Sequence, residues 1–161
     1  MANININGQY RFTLTIQNMF HTYTSTYTNH NMITSDGLNF LVKKWNGEEG
    51  VINKVIFGKG TNNPSENDII NMFVDPYIVN INTYSYDNTL RMQNNTVKGV
   101  NINGTTELGV IGETEKENKK TSTLISRSTH PVINIPDTCI ISFEYVFTLT
   151  SITVDECEEE E

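Results

Sequence analysis

Cys139-Ile140-Ile141-Ser142-Phe143-Glu144-Tyr145-Val146-Phe147-Thr148-Leu149-Thr150-Ser151-Ile152 is the most apolar stretch of the chain. Ile141, Phe143, Tyr145, Phe147 and Leu149 alternate with other residues and fall on one face of an extended strand. Ile140 and Val146 add apolar groups to the opposite face. A strand apolar on both sides has neighbours on both sides, so the stretch predicts a strand in the middle of its sheet.

The same period of two recurs upstream. Tyr10, Phe12, Leu14 and Ile16 alternate with polar residues and predict a strand with one buried face. His21 to Thr28 is rich in Thr and Tyr and β-prone, and is expected as an exposed strand or an extended arm. Val51 to Phe57 predicts a buried strand that runs into a glycine-containing loop, Gly58 to Asn63. Tyr77, Val79 and Ile81 share a face, with Tyr84 and Tyr86 on the other. Asp87-Asn88 suggests a turn into Leu90 and Met92. Val100 and Ile102 precede Asn103-Gly104, a strong hairpin dipeptide, with Leu108 and Val110 on the return strand. Leu124 and Ile125 form a short strand. Gly112 to Thr121 is charged and predicts a mobile loop.

Two places break the period of two. Leu38, Leu41, Val42 and Trp45 make a helical stripe, which Thr34 or Ser35 can cap and Asn46-Gly47 can end. Ser65-Glu66-Asn67-Asp68 resembles a capping box leading into a short second helix with Ile69, Ile70, Met72 and Phe73. The whole predicts a mainly β chain, a β-sandwich of about eight strands with one or two short helical insertions. Residues 1–154 are expected to form a single β-rich domain, and residues 155–161 an acidic disordered tail.

Composition narrows the functions. The chain has 161 residues, a length suited to one core. Asn and Thr each supply about one residue in eight. The formal charge is −8, but Asp155 to Glu161 hold six of the 19 acidic groups, leaving 13 against 11 basic groups in the body. No basic stripe exists to neutralise phosphates, so no nucleic-acid partner is expected. Cys139 and Cys157 form neither a metal spacing nor a redox pair, and free thiols are expected. The first 18 residues lack a continuous apolar run, and no run reaches the length of a membrane span, so neither secretion nor a membrane partner is expected. Asn94-Asn95-Thr96 and Asn103-Gly104-Thr105 match glycosylation sequons, which mean little without secretion.

Candidate chemistry is sparse. Gly58-Lys59-Gly60-Thr61 resembles part of a phosphate loop but lacks the Walker spacing, and glycine-supplied turning is the simpler reading. His21, His30 and His130 share no ligand spacing. Glu113, Glu115 and Glu117 lie among Lys116, Lys119 and Lys120, a poor wall for a two-carboxylate cleft. No catalytic, cofactor-binding or metal residues are expected, and the chain is not expected to be an enzyme. Tyr23, Tyr27, Tyr84 and Tyr86 are the candidate contact surface, for protein or sugar, because tyrosine joins a flat apolar ring to a polar tip. Ordinary sheet positions are the competing reading.

Four segments, in order, resemble small tail-fibre, baseplate and fibre-attachment proteins of tailed bacteriophages. They are Ile33 to Leu41; Val55-Ile56-Phe57-Gly58-Lys59-Gly60-Thr61 with Pro64-Ser65; Thr106-Glu107-Leu108-Gly109-Val110; and Leu124-Ile125-Ser126-Arg127 followed by the strand through Ile141 to Leu149. The resemblance spans roughly residues 30 to 150. It implies a β-rich virion protein, made in the host bacterial cytoplasm, that packs with other virion proteins or with copies of itself, a trimer by analogy. It carries over no catalytic residues. The chain lacks long fibrous repeats, which favours an adaptor over a receptor-binding fibre. A carbohydrate- or host-receptor-binding module, contacting a surface glycan, is the alternative. Within the motifs, Gly58 and Gly60 let the chain turn, and Arg127 is placed either to pair with Glu107 or another carboxylate or to stand in solvent.

Overall fold

The computed structural model describes residues 2–3, 9–17, 22–30, 32–86, 89–148 and 153–154, and at positions within 2–30 and at 86, 95, 147–148 and 153–154 the backbone alone. In chain order the elements are β1 (Ala2–Asn3), β2 (Gln9–Gln17), β3 (Thr22–His30), β4 (Met32–Ile33), α1 (Ser35–Trp45), β5 (Val51–Gly58), β6 (Tyr77–Asn80), β7 (Asn82–Tyr86), β8 (Thr89–Lys98), α2 (Gly99–Ile102), β9 (Glu107–Lys116), β10 (Lys119–Thr129), β11 (Ile140–Thr148) and β12 (Thr153–Val154). Two five-stranded antiparallel sheets are ordered β3-β2-β11-β8-β7 and β4-β10-β9-β5-β6, and β1 pairs with β12. The chain is mainly β and its two sheets form a sandwich, as expected. β11 is the middle strand of its sheet, as expected, but its second apolar face is not buried: Ile140 is exposed and Val146 half-buried.

The sheets meet through alternating side chains. Val55, Phe57, Leu108 and Val110 from one sheet pack against Met92, Ile141, Phe143 and Tyr145 from the other. The Phe57 and Phe143 rings meet edge to face across the interface, centroids 5.5 Å apart. The chain changes sheets at Ile81, whose N–H donates to Asn53 O at 3.0 Å between β6 and β7. Val79 and Ile81 are buried, as their spacing predicted. The Asp87-Asn88 turn, the positions of Phe147 and Leu149 on the β11 face, and residues 155–161 lie outside the described residues or side chains. The stretch beginning at His21, open between strand and arm, is the edge strand β3 from Thr22 onward.

Four expectations require correction. The helix starts where predicted, Thr34 Oγ1 accepting from Gly37 N at 2.8 Å, but of the predicted stripe only Leu41 packs against the core. Gly37 lies against the Ile125 backbone, where a Cβ would come within 2.2 Å of Ile125 O. Phe40 beside it enters the core, while Leu38, Val42 and Trp45 point outward. Close backbone approach, which hydrophobicity does not register, chose the face. The second helix is a single 3₁₀ turn at Ile70–Met72. Asp68 does accept from Ser65 N, but it is buried by a distant arginine rather than serving a helix end. Asn103-Gly104 forms a turn, with Gly104 at φ 78° and Thr105 N donating to Ile102 O, but it joins α2 to β9 and no hairpin results, because β8 and β9 belong to different sheets. Finally, the charged Gly112 to Thr121 stretch is the tip of the long β9–β10 hairpin. Glu117 and Asn118 both take positive φ, 52° and 63°, as a two-residue type I′ loop requires. The tip lacks apolar alternation because its side chains are exposed on both faces.

Candidate functional site

The most elaborate polar arrangement among the described side chains sits where β5 ends, β9 begins and β10 ends. β5 leaves the core at Gly58, and the chain returns along β9 from Thr106. Thr106 N donates to Gly58 O, and Thr106 Oγ1 donates to Gly60 O at 2.7 Å. These bonds curl the Gly58–Gly60 loop around the Glu107 carboxylate. A Cβ at Gly58 or Gly60 would lie 2.3 or 2.4 Å from a Glu107 oxygen, so the two glycines make room for an anion that the chain itself supplies.

Glu107 is fully buried and each of its oxygens is engaged. Oε1 accepts from Gly60 N at 2.9 Å and Val74 N at 3.0 Å. Oε2 accepts from Arg127 Nε at 3.0 Å and Nη2 at 2.7 Å. The remaining terminal nitrogen of the guanidinium, Nη1, donates to Asp68 Oδ2 at 3.1 Å, and that oxygen also accepts from Ser65 N. The Phe73 ring lies 5.7 Å from the guanidinium carbon. Sheet register explains the pairing: Thr129 lies opposite Glu107 and Arg127 opposite Gly109, so Arg127 and Glu107 are diagonal neighbours on one face. Of the two sequence readings for Arg127, the carboxylate pair is the one found. The role of Asp68 was missed, because its local resemblance to a capping residue masked a contact with residue 127.

His130 follows at the end of β10. It is buried, its Nδ1 lies 2.9 Å from Pro131 O, and its N–H donates to Thr106 O. Burial holds its pKa below the usual 6.5, partly opposed by the Pro131 and Glu107 carbonyls and by the Glu107 charge. This constellation ties the 58–60 loop and the 65–74 segment to the paired strands β9 and β10. Its acids and base are sealed from solvent and turned toward each other, which makes it a clamp.

The other candidate residues are dispersed. Glu113 accepts from Lys54 Nζ and Asn53 Nδ2, which hold its carboxyl below the usual range; Glu115 lies further along β9 and Glu117 in the turn. His30 is the last residue of β3, far in sequence and element from His130, and His21 lies outside the described residues. No group of three metal-ligating side chains occurs among the described residues. Cys139 is buried and free, and Cys157 lies outside the described residues. No described helix is long and apolar enough to cross a membrane. Tyr23 and Tyr27 are in β3, and Tyr84 and Tyr86 in β7, the two opposite edges of one sheet. Four strand spacings, roughly 19 Å, separate the pairs, so the four residues are not brought together. By register Tyr23 pairs with Ile16 and Tyr27 with Phe12. Tyr84 is exposed, and its hydroxyl accepts from Gln93 Nε2.

The exposed apolar surface of α1 was not anticipated. Leu38, Val42 and Trp45 are 48%, 55% and 71% accessible and recur at i, i+4 and i+7, one continuous stripe. Comparison with protein-family models, curated proteins and solved structures returned no match.

Proposed function

We propose that this chain is a structural component of a tailed bacteriophage particle, a tail, baseplate or fibre-attachment subunit that works through contacts with other virion proteins. The observation that carries the reading is the Leu38–Val42–Trp45 stripe. A tryptophan left mostly in water on a rigid helix is the kind of side chain that anchors protein interfaces, where Trp is concentrated among the energetically dominant residues. The ordered segments that resemble small phage tail proteins support the same reading. So does the buried Asp68–Arg127–Glu107 clamp, which spends the chain's most organised charges on holding loops to strands. Trp45→Ser tests the proposal: the variant folds normally, yet its incorporation into particles falls at least tenfold below wild type. Undiminished incorporation removes this surface from the assembly.

Tyr84 favours a second reading. An exposed tyrosine on an edge strand, its hydroxyl bonded to a glutamine, is a platform for a sugar ring. Binding to a glycan array that Tyr84→Ala abolishes supports a carbohydrate- or receptor-binding module instead.

A further inference from the structure

β10 is eleven residues long, yet its outer side is paired only at Ser126 with Ile33 and Arg127 with Met32. The strand that would continue this pairing turns away: Thr34 N donates to Ile125 O and the chain enters α1. Among the described residues no strand lies against Lys119 to Thr123 on the side away from β9, and Lys119 to Ser122 are exposed. An open groove of about 470 Å³ runs beside this edge, between Thr121–Leu124 and the Asp36, Ile69 and Asn71 side. We propose that this edge pairs with the same edge of a second copy, antiparallel, with Thr121 on the twofold axis.

The register follows from the hairpin. In a hairpin closed by a two-residue loop, the residues flanking the loop form a hydrogen-bonded pair, and the pattern then alternates. Lys116 and Lys119 flank the loop. Thr121 and Lys119 therefore direct their backbone groups to β9, and Lys120 and Ser122 direct theirs outward. An antiparallel partner centred on Thr121 sets Lys120 opposite Ser122 of the second copy, and the reverse. Both are hydrogen-bonded pairs, and four outward backbone groups on each copy gain partners. Thr121 then faces its own copy in a non-hydrogen-bonded pair, about 4.5 Å between Cα atoms.

Charge selects a second copy as the occupant. Edge lysines usually repel a strand partner. Here Lys120 lies opposite Glu115 and Ser122 opposite Glu113 in the hairpin. Across the proposed seam one face reads Glu115, Lys120, Ser122, Glu113, the last two from the second copy. Each Lys120 has Glu115 of its own hairpin on one side and the neutral Ser122 of the second copy on the other, so no like charges stand directly opposite one another across the axis. Lys119 meets Thr123. The acidic end of the chain is a poorer occupant, because Glu113, Glu115 and Glu117 already balance Lys116, Lys119 and Lys120 at the tip. The contact is twofold, so a threefold assembly would use another surface. The inference is independent of the particle assignment, since it is read on the purified chain.

Two measurements decide it. In a Cys157→Ser background, Thr121→Cys cross-links to a dimer under mild oxidation. Thr123→Cys does not, because its copies would lie four residues apart in register, about 13 Å. Light scattering at high micromolar concentration gives twice the chain mass for wild type. It gives the single mass for Ser122→Pro, which loses an outward N–H and no bond to β9, and so keeps its melting temperature within a few degrees. A monomeric wild type, equal cross-linking at 121 and 123, or a dimeric Ser122→Pro that melts normally overturns the proposal.

Discussion

Arg127 donates two hydrogen bonds to one oxygen of Glu107, at 3.0 and 2.7 Å, with both side chains out of reach of water. The arginine comes from the end of β10 and the glutamate from the start of β9, so the bond fixes the two strands in register and leaves the opposite oxygen free for the Gly60 and Val74 amides. Removing one member strands a buried charge. Arg127→Met should cost about 3–5 kcal/mol, read as a fall in the urea midpoint at unchanged m-value. A loss below about 1 kcal/mol would mean that this pair does not hold the two strands together.

The glycines beside Glu107 lead to a coupling prediction. Gly58→Ala pushes a methyl group into a carboxylate that four donors hold in place. The substitution should destabilise the wild type well beyond a surface change, and Glu107→Ala should relieve most of that added cost. A double-mutant cycle should return a coupling of about 1–3 kcal/mol. Additive losses would show that Gly58 is required for its backbone alone.

The same residues mark how far the sequence could be read. The β11 face and the Thr34 cap were legible because each is a local pattern: alternation of apolar residues, and a hydroxyl three residues before the amide it accepts. The Arg127–Glu107 pair was visible as one of two options, since deciding needed the β9–β10 register. Asp68 was hidden, because a contact 59 residues away leaves no trace in its neighbours. The α1 stripe was legible as a helix but not in its direction: apolar spacing shows that a face exists, and only the Gly37–Ile125 contact shows which face turns inward. The phosphate-loop likeness of Gly58 to Thr61 has a physical basis, since the Gly60 amide binds an anion, but that anion is Glu107.

His130 supplies a pH dependence. Its folded pKa lies below its unfolded value of 6.5, with burial the main cause. The unfolded chain therefore binds more protons as pH falls below 6.5, and stability drops with it. The contribution is present above pH 6.5 and is lost on acidification toward the folded pKa, with a slope of at most about 1.4 kcal/mol per pH unit. Urea titrations between pH 6.5 and 5 should show wild type losing stability faster than His130→Asn. Parallel slopes would place the proton elsewhere.

Trp45 separates folding from assembly. With 71% of its surface in water, Trp45→Ser should change stability by no more than about 0.5 kcal/mol, measured by thermal melting. A large destabilisation would mean that the indole packs within its own chain, and the α1 stripe would cease to be a contact surface.

The proposal that this chain is a virion component is tested most directly by quantitative mass spectrometry of purified phage particles from cells producing it. The account predicts the chain at a fixed ratio to the tail proteins, retained through a density gradient. Abundance in the infected-cell lysate with absence from the gradient-purified particles would contradict it.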